Sequence, residues 1–284
     1  MVVLRPLVAA LLTVGAMPVL AHQGISPYLP LQLSPEIESQ VAQLLINAGE
    51  VQLSRPVRAA TVKRALSRGC VPDPALCARV RSYLNRYMDQ FGVSHAAATL
   101  RYSEAAAEPL ANQRGEPGDS PYNASLSIYW QPNAYLLANA GALAYEGELQ
   151  PEGSYVSLGW AAARFDAGYR PHWLSPLADS SLLLGTQAPT MPSISLSNDL
   201  PLTRWGLSYE LFVGQLERSA TASPLPAEDA RLAGLQLQAR PLPRLGLSYS
   251  ALSFYDAVQF VDSSWRQRDQ LDQHQGDRCG GEPA

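Results

Sequence analysis

Polar and apolar positions follow two different periods along this chain, and the change falls at Gly92. Before it the period is helical. Ser34 can cap, Pro35 suits a first turn, and Ile37, Val41, Leu44, Leu45 and Ala48 recur on one face before the stop at Gly49. A second helix is predicted over 59–67, ending at Gly69. In the third, Asp73 caps, Pro74 takes the first position, and Leu76, Val80, Tyr83, Leu84, Tyr87 and Phe91 form one stripe. Such stripes are packing surface. Cys70 follows the second helix and Cys77 lies in the first turns of the third, so a disulfide between them would staple the two. Zinc is a poorer use of this pair, because no further Cys or His lies near with ligand spacing. Cys279 is left over.

After Gly92 the period is two. Nine strands are predicted, over 94–102, 124–131, 134–146, 155–165, 166–174, 192–197, 205–213, 233–240 and 245–249. In the second, Ala124, Leu126, Ile128 and Trp130 alternate with Ser125, Ser127, Tyr129 and Gln131. Near Phe165 the apolar face moves from even residues (Val156, Leu158, Trp160) to odd ones (Ala167, Tyr169, Trp173), which predicts a tight turn or a bulge there. The connections alternate as well. Those over 103–123, 147–154, 175–191 and 217–229 are long; those at 132–133, near Phe165, and over 199–203 and 241–243 are short. An up-and-down outer-membrane barrel has this layout, with short turns on the periplasmic side, whereas a soluble sandwich predicts no such alternation of loops.

Composition and charge narrow the setting. Arg5 is the only charged residue in the first 21, and the apolar run that follows it is short and ends at Pro18, which reads as a cleaved secretory signal over 1–21 rather than a membrane anchor. The 284 residues are 46% hydrophobic and 16% charged, too apolar for a disordered chain. The net charge of −4 supplies no basic face for nucleic acid. There is no nucleophile elbow, zinc-protease helix, Walker loop or dinucleotide fingerprint, so neither an enzyme nor a cofactor is expected. The histidines at 22, 95, 172 and 274 are scattered.

The run Phe165-Asp166-Ala167-Gly168-Tyr169-Arg170-Pro171-His172-Trp173, then Asp179-Ser180-Ser181-Leu182-Leu183-Leu184 and Ala188-Pro189-Thr190-Met191-Pro192-Ser193-Ile194-Ser195-Leu196, resembles the capsule assembly Wzi family. The resemblance covers roughly residues 24–254, helical module included. It implies an outer-membrane barrel of about eighteen strands with a periplasmic helical bundle, holding capsular or exopolysaccharide at the cell surface. It also implies surface polysaccharide, outer-membrane lipid and the outer-membrane assembly machinery as partners. The expected organisation is a helical module over 34–92, part of an antiparallel transmembrane barrel over 93–261, and a polar tail over 262–284.

The chain departs from the family after Phe254, where the barrel pattern fades apart from a possible strand over 255–261. The polar tail cannot face lipid, and about half the family's strands lack a counterpart. Asp166, Arg170 and His172 share the polar face of one predicted strand and are candidates for polysaccharide contact. Pairing among themselves, as in the charged rings of barrel lumens, is the plainer reading. Trp130, Trp160, Trp173 and Trp205 suit an interfacial girdle. A porin-like channel and a secreted soluble β protein are the alternatives to a polysaccharide-retention protein.

Overall fold

A computed structural model describes residues 24–256 apart from 51, 53, 88, 103–119, 176, 178–180, 182, 185–189, 217–229 and 243–244. The proposed signal, most of three of the four long connections, Cys279 and the polar tail therefore lie outside the described residues. So does the possible strand beyond residue 256.

The first and third helices begin where their caps predict. In α1 (Pro35–Asn47) the Ser34 side chain accepts from the Ile37 N–H at 3.5 Å, and in α3 (Pro74–Leu84) Asp73 accepts from the Leu76 N–H at 2.8 Å. Gly49, at φ 69°, turns the chain out of α1, a conformation that costs a residue with a Cβ. Between α2 (Ala59–Arg68) and α3, Cys70 and Cys77 are joined by a disulfide, their Cα atoms 5.6 Å apart. The end of α3 differs from the expectation. A short 3-10 turn, Asn85–Tyr87, follows Leu84, and Phe91 is the exposed first residue of a strand. The cause is tertiary: the Tyr129 hydroxyl donates to the carbonyls of Arg86 and Asp89 at 2.8 and 2.9 Å, acceptors that a continuing helix would use itself.

The strands are β1 (Phe91–Leu100), β2 (Tyr122–Asn133), β3 (Leu136–Tyr145), β4 (Glu148–Gln150), β5 (Tyr155–Trp160), β6 (Ala163–Tyr169), β7 (Pro192–Ser197), β8 (Ser208–Gln215), β9 (Ala230–Leu242) and β10 (Leu245–Asp256). They form one antiparallel sheet in which each strand pairs with its successor, except that β4 is a short hairpin partner of β3 inside a connection expected to be plain loop, and β5 pairs β3 directly. Among the described residues β1 and β10 are the two edges and the sheet does not close.

Its burial is inside out. Leu126, Trp130, Leu158, Trp160, Ile194, Leu211 and Val213 are exposed, while Asn123, Ser157, Asp166, Ser195, Glu210 and Gln236 are buried. The strict alternation therefore places apolar side chains on the outer face and polar ones on the inner face, the reverse of a soluble sandwich. Five strands have 10–13 residues, as long as a tilted transmembrane strand needs, whereas β5, β6 and β7 have only 6–7.

The inner face is covered by the helical module. Leu44, Val62, Ala65, Leu76, Val80 and Leu84 form a core that continues into Tyr129, Leu137 and Tyr155 of the wall. Burying each large side chain is worth roughly 1.5–3 kcal/mol, which fixes the module to the sheet. An extended segment over 24–33 runs between them. It starts at Gly24, where a Cβ would lie 2.0 Å from the Ala134 carbonyl oxygen, so only glycine lets Ile25 N–H reach that oxygen at 2.8 Å.

Three expected boundaries move. The turn between β5 and β6 is Ala161-Ala162, not Phe165, and Trp160 pairs with Ala163. A two-residue turn exchanges even for odd positions, which accounts for the shift in the apolar face. The strand expected over 166–174 ends at Tyr169. Trp173 is not a girdle residue: it is 4% exposed and forms a backbone bridge to Arg55 of the module, with N···O distances of 3.0 and 3.2 Å. Residues 203–206 are a turn, so β8 starts at Ser208 and the exposed Trp205 precedes it.

Candidate functional site

The inner wall carries a buried ion network built mainly from alternate residues of adjacent strands. On β6, Arg164 and Asp166 point inward, 0% and 1% exposed, while Phe165 between them faces out. Arg164 Nε donates to Asp166 Oδ1 at 2.6 Å, Nη2 to Ser157 Oγ of β5 at 2.7 Å, and Nη1 to Asp199 Oδ1 at 3.0 Å and to the Ser26 carbonyl. The extended segment contributes Tyr28, whose hydroxyl donates to Asp166 Oδ2 at 3.0 Å. The guanidinium carbons of Arg164, Arg170 and Arg58 lie 4.1, 5.0 and 5.3 Å from its ring centroid.

Of the residues singled out in the sequence, Asp166, Arg170 and His172 are brought together here, though not on one strand. Arg170 and His172 follow the end of β6, in the stretch that Trp173 ties to the module. Arg170 donates to Glu210 of β8 and to Ser195 Oγ at 3.1 Å, and its Nε lies 3.5 Å from Asp166 Oδ2. His172 Nδ1 lies 2.8 Å from the same Glu210 oxygen and Nε2 lies 2.9 Å from Ser193 Oγ, with the ring stacked on Phe212 at 4.0 Å between centroids. Burial, and then Arg170, hold the imidazole pKa below its ordinary value against the opposing pull of Glu210. His172 is therefore neutral near pH 7, with Nδ1 facing both Glu210 and the Arg170 Nη2 at 3.1 Å and Nε2 facing Ser193, one ring nitrogen donating and the other accepting.

The order Ser193, His172, Glu210 matches the relay of a serine hydrolase. Its electrostatics differ. Arg170 is bonded to the same Glu210 oxygen and lies against the imidazole, so the carboxylate's support for an imidazolium is cancelled at the place where catalysis needs it. Neither of the two cavities described below is bordered by Ser193. These contacts tie the stretch after β6 to β7 and β8. Arg164, Ser193 and Glu210 were not singled out from sequence. Each is one polar residue in a polar-inward alternation, and only its contact with His172, 38 positions earlier, distinguishes Glu210 from its neighbours.

Two cavities lie between module and wall. One, of about 60 Å³, is bordered by Tyr28, Gln32, His95, Ser125, Asn139 and Glu152. The other, of about 90 Å³, lies between α2 and the inner faces of β8 and β9. Among the described residues no group of acidic, histidine or cysteine side chains is arranged to hold a metal ion.

The model of the capsule assembly protein Wzi family matches residues 81–255, more than half of the chain. The chain belongs to the Wzi capsule assembly family. A solved structure described as Wzi, an outer membrane protein involved in group 1 capsule assembly in Escherichia coli and a carbohydrate-binding β-barrel, superposes with a TM-score of 0.60 at 15% identity. The match covers 82% of this chain and 54% of that one, so the chain spans about half the length of its structural relative. A comparison with curated protein sequences finds no significant match. At 15% identity the likeness to the solved structure is one of fold, that of a β-barrel.

Proposed function

We propose that this protein lies in the outer membrane of a Gram-negative bacterium, with its helical module on the periplasmic side, and takes part in assembling or retaining capsular or exopolysaccharide at the surface. The observation that carries the reading is the combination of an apolar outer face with an inner face occupied by the module. The apolar face suits lipid. The inner face argues against a diffusion channel, which needs a wetted polar wall, because here Tyr28, Arg58, Ser54 and Tyr129 join module to wall by direct hydrogen bonds. The name of the Escherichia coli relative, a carbohydrate-binding barrel, supports polysaccharide as the ligand class.

Asp166, Arg170 and His172 take a positioning role in this reading. Arg170 is 2% exposed, with Nη2 donating to Glu210 and Ser195, so it presents no accessible fork to a sugar carboxylate. They hold the stretch after β6 inward, and polymer contact falls to surfaces outside this network. The test is deletion of the gene in its own host, with cell-bound and released polymer measured separately. Total polymer should stay constant while the cell-bound share falls. An unchanged ratio, or a loss of synthesis, would contradict the retention reading.

A further inference from the structure

The apolar band on the outer face is not equally tall around the sheet. On β2 it runs through five alternate positions, Tyr122, Ala124, Leu126, Ile128 and Trp130, and on β3 through five more, from Leu136 to Ala144. On β5 it has three, Val156, Leu158 and Trp160, and on β7 three, Pro192, Ile194 and Leu196. β6 between them has four, Ala163, Phe165, Ala167 and Tyr169. At about 3.4 Å per residue and a tilt near 45°, the band is about 19 Å high on β2 and β3 and about 10–14 Å high on β5, β6 and β7. An outer-membrane barrel ordinarily presents about 25 Å.

The short strands cannot be lengthened at their ends, because the chain turns inward there. Past Tyr169, Arg170 is buried and donates to Glu210 and Ser195. Before β5, Glu152 accepts from Gln32 of the extended segment at 2.7 Å. Past Trp160, Ala161 is buried and accepts the N–H groups of Asp199 and Leu200 at 2.8 and 3.0 Å. Past Leu196, Ser197 and Asn198 are buried, and Arg58 of the module donates to Ser197 Oγ at 3.1 Å. The three strands are also paired to one another and, through β3 and β8, to the rest of the sheet, so this sector cannot tilt by itself to meet a thicker bilayer. The lipid has to yield instead. We infer that the β5–β7 sector thins the outer membrane locally, and that its partner is a patch of lipid whose hydrocarbon is about 5–9 Å thinner than that against β2 and β3. The inference rests on the outer-membrane reading. The inward turns that assemble the buried network are what shorten the wall, so the thinned patch lies behind Arg164, Asp166 and Arg170, against the outward Phe165.

The test places single nitroxides on the full chain in dioleoylphosphatidylcholine vesicles, at 163, 165, 167 and 169 on β6 and at 124 and 128 on β2. Positions 163 and 169 differ in height by about 14 Å, so a hydrocarbon core of about 30 Å leaves both at its surfaces only if it thins. A water-soluble nickel chelate should reach 163 and 169 roughly ten times as often as 124 and 128, because hydrocarbon excludes it. Positions 165 and 167 should stay as closed as those on β2. Protection of both 163 and 169, or of one of them alone, overturns the thinning, and so does a chelate that reaches 165 and 167 as well. In each of these cases closed positions 124 and 128 leave the outer-membrane reading standing. A chelate that reaches 124 and 128 as freely as 163 and 169 removes that reading along with the inference.

Discussion

Arg164 is the residue on which the inner wall depends most, because it neutralises Asp166 and Asp199 at once from a fully buried position. Arg164→Met keeps most of the volume but leaves Asp199 to Arg58 alone and Asp166 to the more distant Arg170, which should cost about 3 kcal/mol. The urea midpoint of the micelle-refolded protein would measure it, and a loss under about 1 kcal/mol would show that water already reaches the pair. His172 gives a pH dependence whose sign follows from its lowered pKa. The unfolded chain takes up the proton near the ordinary value of 6.5, before the folded one does. The stability contributed is therefore complete above about pH 6.5 and is lost as the pH falls from there through the lowered folded value. His172→Gln should flatten that part of the profile, read as urea midpoint against pH, and a wild-type midpoint constant from pH 7.5 to 5 would contradict it. At this scale the sequence was only partly legible. The alternation put Asp166 on the polar face, but a buried ion pair is a property of strands brought together, so Arg164 looked no different from any other inward polar position.

Among the elements, the helical module has the clearest local grammar. Ser34, Pro35, Asp73, Pro74 and the two cysteines mark its turns, and the observed caps and bridge occupy those positions. The bridge closes a loop with a sequence separation of 7, worth roughly 2–3 kcal/mol in the chain-entropy model. Cys70→Ser with Cys77→Ser should lower the helix-melting midpoint accordingly while leaving strand content unchanged, as followed by circular dichroism. Equal loss of both signals would mean that module and wall fold as one unit. The strands were legible through their period, the turns less so. Ala161-Ala162 has no turn residue because its geometry is held from outside: Asp199 and Leu200 donate to the Ala161 carbonyl at 2.8 and 3.0 Å, and the Tyr209 hydroxyl donates to that of Ala162 at 3.0 Å. The same applies to Trp173. Its place in the alternation suggested a lipid-facing ring, but the chain had already left the sheet at Arg170 to pair with the module.

At the scale of the whole molecule, the fold reverses the usual partition of polar and apolar surface, and this reversal is what joins sequence pattern, family and candidate site. A sheet with Ile194, Leu196, Leu211 and Val213 on an exposed face is soluble only if lipid or another apolar surface covers it. On the inner face Asp166, Glu210 and Arg164 find their counter-charges in one another, in Arg170 and in Asp199, and Tyr28 of the extended segment adds a hydroxyl to Asp166. Site-directed spin labelling in reconstituted bilayers tests this arrangement most directly. Nitroxides placed singly at 193–197 and 210–213 should alternate, with high collision rates for dissolved oxygen at 194, 196, 211 and 213 and low rates at 193, 195, 197, 210 and 212. A water-soluble nickel chelate should reach none of the first set. If the chelate instead relaxes 194, 196, 211 and 213 while oxygen shows no period of two, the apolar face is not in lipid, and the outer-membrane account of this chain is wrong.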